Sequence, residues 1–187
     1  LGSFGKATVD YDTARKSVGM GDRALIKKFF APEEEERASA IYRAHHFKAL
    51  EKHLSLQPGA KELLRFLKSR GAFLAIASNR TRESGNRMLE ILAIAPLFQM
   101  TLFGDTVAHP KPNPDMALAA LGFFRCSTEE SFFVGDMPID VETGKNAGIH
   151  TIALATGSSS CEALKSAKPE RLFLSLRDCL SSFTAMY

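Results

Sequence analysis

From residue 56 onward, short apolar runs alternate with segments of helical period, and this alternation is what most narrows the possible folds. The run Phe73-Leu74-Ala75-Ile76-Ala77 is almost wholly apolar, as a strand covered on both faces must be. Residues 99–103, 132–134, 151–154 and 171–174 are further strand candidates. Between them lie helical patterns. One opens at Pro58-Gly59 and closes at Gly71, and others cover residues 82–92, 113–121, 139–147 (ended by Gly148), 163–167 and 176–183. Strands and helices at this spacing predict an α/β fold, a doubly wound parallel sheet with helices on both faces.

Before residue 56 the pattern is helical throughout. Asp22 is placed to cap residues 23–30, and Pro32 with the acids Glu33 to Glu36 makes a helix start. Proline costs nothing there, and carboxylates suit the positive end of the helix dipole. That second helix extends past Ile41, Tyr42, Phe47 and Leu50 to about residue 54. The division is therefore a helical module over 1–55 and an α/β core over 56–187.

Composition removes several function classes. No apolar run reaches the ~20 residues of a membrane span. The 24 basic and 21 acidic residues leave a charge of +3, too mild for a nucleic-acid footprint. Cys126, Cys161 and Cys179 show no C-x-x-C spacing, so neither a zinc site nor a disulfide framework is expected, and a reducing, cytoplasmic setting follows. Residues 1–8 lack a signal-peptide pattern.

Ligands of open parallel sheets bind beyond the carboxyl ends of the strands. There this sequence places Ser78-Asn79 after the first strand and Gly104-Asp105 after the second, with His109-Pro110-Lys111-Pro112 close behind. Gly135-Asp136-Met137-Pro138-Ile139-Asp140 follows the third. A hydroxyl, an ammonium and two carboxylates on one sheet edge suit a phosphoryl group with Mg²⁺. Taken singly, each has a plainer reading: Ser-Asn as a turn, Lys111 as a solvated charge, Asp136 or Asp140 as a helix cap. Three such groups in order, each after its own strand, carry the expectation.

Three segments resemble motifs of the haloacid dehalogenase-like hydrolases. They are Ala75-Ile76-Ala77-Ser78-Asn79-Arg80, Lys111-Pro112-Asn113-Pro114-Asp115, and the stretch from Phe133 through Gly135-Asp136 and Asp140 to Gly148. Gln57-Pro58-Gly59 and residues 154–157 fit the phosphoglycolate-phosphatase-like branch, and Val18-Gly19-Met20-Gly21 resembles its helical cap. The resemblance implies a Rossmann-like core with a small helical cap, and Mg²⁺-dependent hydrolysis of a small phosphorylated metabolite through an aspartyl-phosphate. It implies that Ser78 and the backbone of Asn79 hold the phosphoryl. Lys111 would offset its charge, Asp136 bind Mg²⁺ directly, and Asp140 act through water or orient the metal shell. A phosphomutase and a non-catalytic phosphate binder are the alternatives.

The family's attacking Asp-x-Asp-Gly-Thr is missing. The one Asp-x-Asp, Asp10-Tyr11-Asp12, follows a poor strand and lacks the glycine, so it reads as linker and helix cap. The nucleophile is expected outside this chain, which by itself should be inactive. His45 or His46 is a candidate to face substrate, and Arg23, Arg43 and Lys48 are candidate anion-binding charges in the cap. The fourteen phenylalanines are expected mostly in the core.

Overall fold

The computed structural model describes residues 1–186 except 11, 12, 15, 16, 18 and 20. Tyr11 and Asp12 of the Asp-x-Asp segment, and Val18 and Met20 of the cap-like segment, therefore lie outside the described residues.

Two helices come first, α1 (Asp22–Phe29) and α2 (Glu35–His53). Ile26, Ala38 and Leu50 are buried between and beneath them. Pro32–Glu34 winds as a 3-10 turn, so α2 proper begins three residues after the proline. There the Glu34 carboxylate turns back to accept from the Ala31 N–H at 2.9 Å.

The remainder alternates as expected. Helix α3 (Ala60–Ser69) leads to β1 (Ala75–Ser78), α4 (Arg82–Ile91), β2 (Met100–Phe103) and α5 (Asp115–Phe124). Next come β3 (Phe132–Gly135), α6 (Pro138–Asn146), β4 (His150–Leu154), α7 (Cys161–Ser166), β5 (Arg171–Phe173) and α8 (Leu176–Met186). Every strand pairing is parallel. Strand β4 shows the double winding most plainly. Ile152 and Leu154 pack against Leu63 of α3 and Cys179 and Phe183 of α8, while Ala153 between them packs against Val141 of α6 and Leu164 of α7. Two faces with two sets of helices explain why the strands read as unbroken apolar runs.

The ladder has one interruption. β1 pairs with β2, and β3 with β4 and then β5, but no ladder joins β1 to β3. A single continuous sheet would bury both strands, yet Val134 at the middle of β3 is 42% exposed and Ala75 of β1 is exposed. The free edges of β1 and β3 border a common cavity. Phe73, expected in the first strand, precedes β1 and stands exposed with its ring stacked on Phe124 at 4.9 Å. With the exposed Phe123, it departs from the core placement expected of phenylalanine, which Phe103 and Phe183 fulfil as buried residues.

Candidate functional site

The cavity has a volume of about 650 Å³ and lies along the carboxyl ends of β1 and β3. It touches all four residues of β1 and Val134 and Gly135 of β3, and its other wall is formed by α1 and α2. Ser78, Asn79, Lys111, Asp136 and Asp140 all line it. Residues separated by up to 62 positions in the chain are thus brought to one place by the parallel topology.

Each side chain is held by its neighbours. Ser78 ends β1, and its hydroxyl oxygen accepts from the Arg80 N–H at 3.3 Å, leaving the O–H to donate into the cavity. Asn79 clamps the loop that carries the lysine. Its Oδ1 accepts from the Lys111 N–H at 2.8 Å, and its Nδ2 donates to the carbonyls of Lys111 at 3.0 Å and Gly19 at 3.3 Å. The Asn79 side chain is therefore a structural bracket, which leaves its backbone as the part able to meet a phosphoryl oxygen.

Lys111, beside the cis Lys111–Pro112 peptide, sends Nζ to Asp140 Oδ1 at 2.6 Å. Both side chains are nearly buried, 11% and 8% exposed. The other Asp140 oxygen accepts from the Met137 N–H at 3.0 Å and so caps α6. Both carboxylate oxygens of Asp140 are thus engaged. Asp136 is different. Its Oδ2 accepts from the Ser158 N–H at 3.3 Å, and Oδ1 has no hydrogen bond among the described residues. Glycines make room for both acids: a Cβ on Gly157 would fall 1.6 Å from Asp136 Oδ2, and one on Gly135 would fall 2.3 Å from Asp140 Cβ. The Gly-Asp spacing in the sequence therefore serves close packing as well as the turn.

Among the described residues, no three His, Cys, Asp or Glu side chains cluster as a metal cage. Magnesium is the hard cation least in need of one, since it usually keeps several waters and takes one or two carboxylates together with phosphate oxygens. Asp136 fits that pattern.

The wall facing these groups was only partly foreseen. His46, half-buried, shares a hydrogen bond with Ser84 Oγ at 2.9 Å, joining α2 to α4, whereas His45 is exposed. Tyr42 stacks on His46, and its hydroxyl reaches Asp22 Oδ1 at 3.4 Å. Burial lowers the pKa of His46, with the Arg80 charge as a secondary cause, and burial followed by the Asp22 charge raises that of Tyr42. The suggested cap cations Arg23, Arg43 and Lys48 are exposed and stand outside the cavity lining. Among the described residues, the cation lining the cavity besides Lys111 is Arg80, on the core side.

Two other residues are elsewhere. Asp105 accepts from the Arg82 N–H at 2.8 Å at the start of α4, and exposed His109 pairs with Asp115 at 3.0 Å. Asp10 accepts from Thr13 through both oxygens, at 2.8 Å to the N–H and 2.7 Å to the hydroxyl, which is capping behaviour.

Among known proteins, the profile of the haloacid dehalogenase-like hydrolases matches residues 1–154. The phosphoglycolate phosphatase of Aquifex aeolicus is 32% identical over 140 residues, covering 75% of this chain and 66% of that protein. The pyrophosphatase PpaX of Bacillus velezensis is 30% identical over 141 residues, covering 75% and 65%. The chain thus spans about two thirds of the length of these relatives. A crystal structure described as a predicted phosphoglycolate phosphatase from Haemophilus somnus superposes with a TM-score of 0.91 at 22% identity, covering 98% of this chain and 86% of the other. CbbY from Rhodobacter sphaeroides, solved in complex with phosphate, superposes at 0.78 and 22% identity, covering 94% and 83%.

Proposed function

Because this chain belongs to the haloacid dehalogenase-like hydrolase family, we propose that its cavity binds a small phosphate monoester, to be hydrolysed through an aspartyl-phosphate. The observation that carries the reading is the convergence of Ser78, Lys111 and Asp136 on one cavity at the carboxyl ends of two strands. The Ser78 O–H and the Asn79 backbone hold phosphoryl oxygens. The Lys111 ammonium, fixed by Asp140, lies where negative charge grows during transfer, and fixed charges in a partly dry site lower the barrier most. Asp136 is the residue to hold Mg²⁺, with Asp140 acting through Lys111 and the outer shell. Bound magnesium would neutralise charge on the transferring group.

The attacking carboxylate is assigned to a segment outside these 187 residues, for which the unpaired edges of β1 and β3 at the cavity leave room. Its oxygen attacks phosphorus and the bond to the leaving oxygen breaks, with the second acid of that Asp-x-Asp segment giving its proton to the departing alcohol. Water then cleaves the acyl phosphate, returning the carboxylate and releasing phosphate. The α1–α2 pair acts as the cap, closing over the substrate and excluding water during the first step. The reading includes a reducing, cytoplasmic setting, resting on the scattered spacing of Cys126, Cys161 and Cys179 in the sequence. Among the described residues, no helix is long and apolar enough to cross a membrane.

The test has two arms. Orthophosphate should bind the 187-residue chain in Mg²⁺ by calorimetry, and Lys111→Ala and Asp136→Asn should each weaken it at least tenfold. The product of the whole coding sequence should release phosphate from a panel of phosphomonoesters. Binding without turnover would instead identify a phosphate-binding protein, and sugar-phosphate interconversion without free phosphate a mutase. Absence of phosphate binding would refute the reading.

A further inference from the structure

Arg80 is half-buried and lines the cavity, yet its guanidinium makes no hydrogen bond and no ion pair among the described residues. Among the described residues, every other charged group on the cavity wall is engaged or has a role. Lys111 and Asp140 are paired, Asp136 is the metal candidate, and Asp22 accepts from Tyr42. The Asp22 charge also sits at the first residue of α1, where the unpaired N–H groups of the helix start offset it. An arginine withdrawn from bulk water gives up hydration, so one without a protein partner is a natural receptor for a ligand anion.

Its position defines that anion. Arg80 is two residues beyond Ser78, and its own N–H donates to the Ser78 oxygen. Arg80 thus lines the cavity beside Ser78, and its charge reaches Tyr42 and His46 of α2. From this the geometry points to a second anionic subsite: Arg80 binds a carboxylate or second phosphoryl group on the leaving side of the substrate, a few bonds from the reacting phosphorus. The inference rests on the phosphate-binding reading above and adds the substrate class. Phosphoglycolate and pyrophosphate, which name the two relatives, share this chemistry and differ in the source of the second charge.

Binding of stable analogues tests it without needing turnover. Methylphosphonate, phosphonoacetate and methylenediphosphonate are titrated calorimetrically into the 187-residue chain in excess Mg²⁺. A charge-assisted pair of this kind corresponds to roughly a tenfold change in affinity. At least one doubly anionic ligand should bind about tenfold more tightly than methylphosphonate. Arg80→Gln should abolish that preference while leaving methylphosphonate affinity unchanged, Arg80→Lys should restore part of it, and exposed Arg82→Gln should leave it intact. A preference for phosphonoacetate alone assigns a carboxylate, and one for methylenediphosphonate alone a second phosphoryl. Methylphosphonate binding with no preference, or a preference that survives Arg80→Gln, overturns the Arg80 subsite and leaves the phosphate site standing. No binding by any of the three overturns both.

Discussion

Replacing Lys111 with methionine keeps the side chain's length and most of its apolar contact but deletes its charge. The pair it breaks is 2.6 Å long, with the two side chains only 11% and 8% exposed. Methionine leaves Asp140 with one N–H, from Met137, and an oxygen without a partner. Removing one member of a buried pair costs about 3–5 kcal/mol, because an uncompensated charge remains behind. The cavity beside Lys111 admits water, which places the value near the lower end, about 3 kcal/mol. For a domain of this size each kcal/mol moves the melting temperature by ~2–4 °C, so the expected fall is roughly 6–12 °C. Asp140→Asn retains an oxygen for the Met137 N–H and strands the lysine instead. The double variant Lys111→Met/Asp140→Asn should lose less than the sum of the two, with a coupling of at least about 1.5 kcal/mol. Urea and thermal denaturation followed by circular dichroism measure all four corners of the cycle. A loss below about 1 kcal/mol for Lys111→Met would equate the pair with an exposed surface bridge and refute the argument.

Gly85 and Gly122 make a contrasting pair. A Cβ on Gly85 would fall 1.9 Å from the ring of the buried Phe103, so Gly85→Ala should cost about 1–3 kcal/mol, whereas Gly122 in α5 has nothing within 4 Å and Gly122→Ala should add ~0.5–1 kcal/mol by urea denaturation. Burial raises the Cys179 thiol to about 11, so at pH 8 about one part in a thousand is thiolate, and a thiol reagent should modify Cys126 and Cys161 well before Cys179. His46, between Ser84, Arg80 and Asp22, titrates below its ordinary value of 6.5 when folded. The unfolded chain then takes the proton first, so stability is lost as pH falls from 6.5 toward the folded pKa. Melting temperatures of His46→Gln should be flatter across that window, while the stability contributed by Glu34 and Glu129, both held below 4.5, is fully present there and is lost only as pH falls below 4.5.

Much of the fold is visible in the residues because its strands are covered on two faces. Ile152, Ala153 and Leu154 face opposite helices yet are all apolar, so the run stands out without any knowledge of packing. The proposed phosphate end of the site is visible for a related reason: Ser78 ends β1, Asp136 follows β3 and Lys111 lies on the loop after β2, and the topology gathers them on one cavity. What escaped depends on contacts no local pattern encodes. Arg80 looks like any loop cation, and only its place in the cavity distinguishes it from exposed Arg82. Few residues of α2 are buried (Ala38 and Leu50), so its pattern gives little sign that His46 faces inward and His45 outward. The interruption between β1 and β3 is equally silent, because a strand reads the same whether one edge or both are paired.

That interruption also governs what the protein can stick to. Open strand edges ordinarily invite pairing with neighbouring molecules and growth into aggregates. Here the two exposed edges border a recess, not the outer rim, so a folded globule is too bulky to add itself there. A finished fold would not fit into that recess, so crowding alone should not drive these molecules to stack edge to edge through β1 and β3.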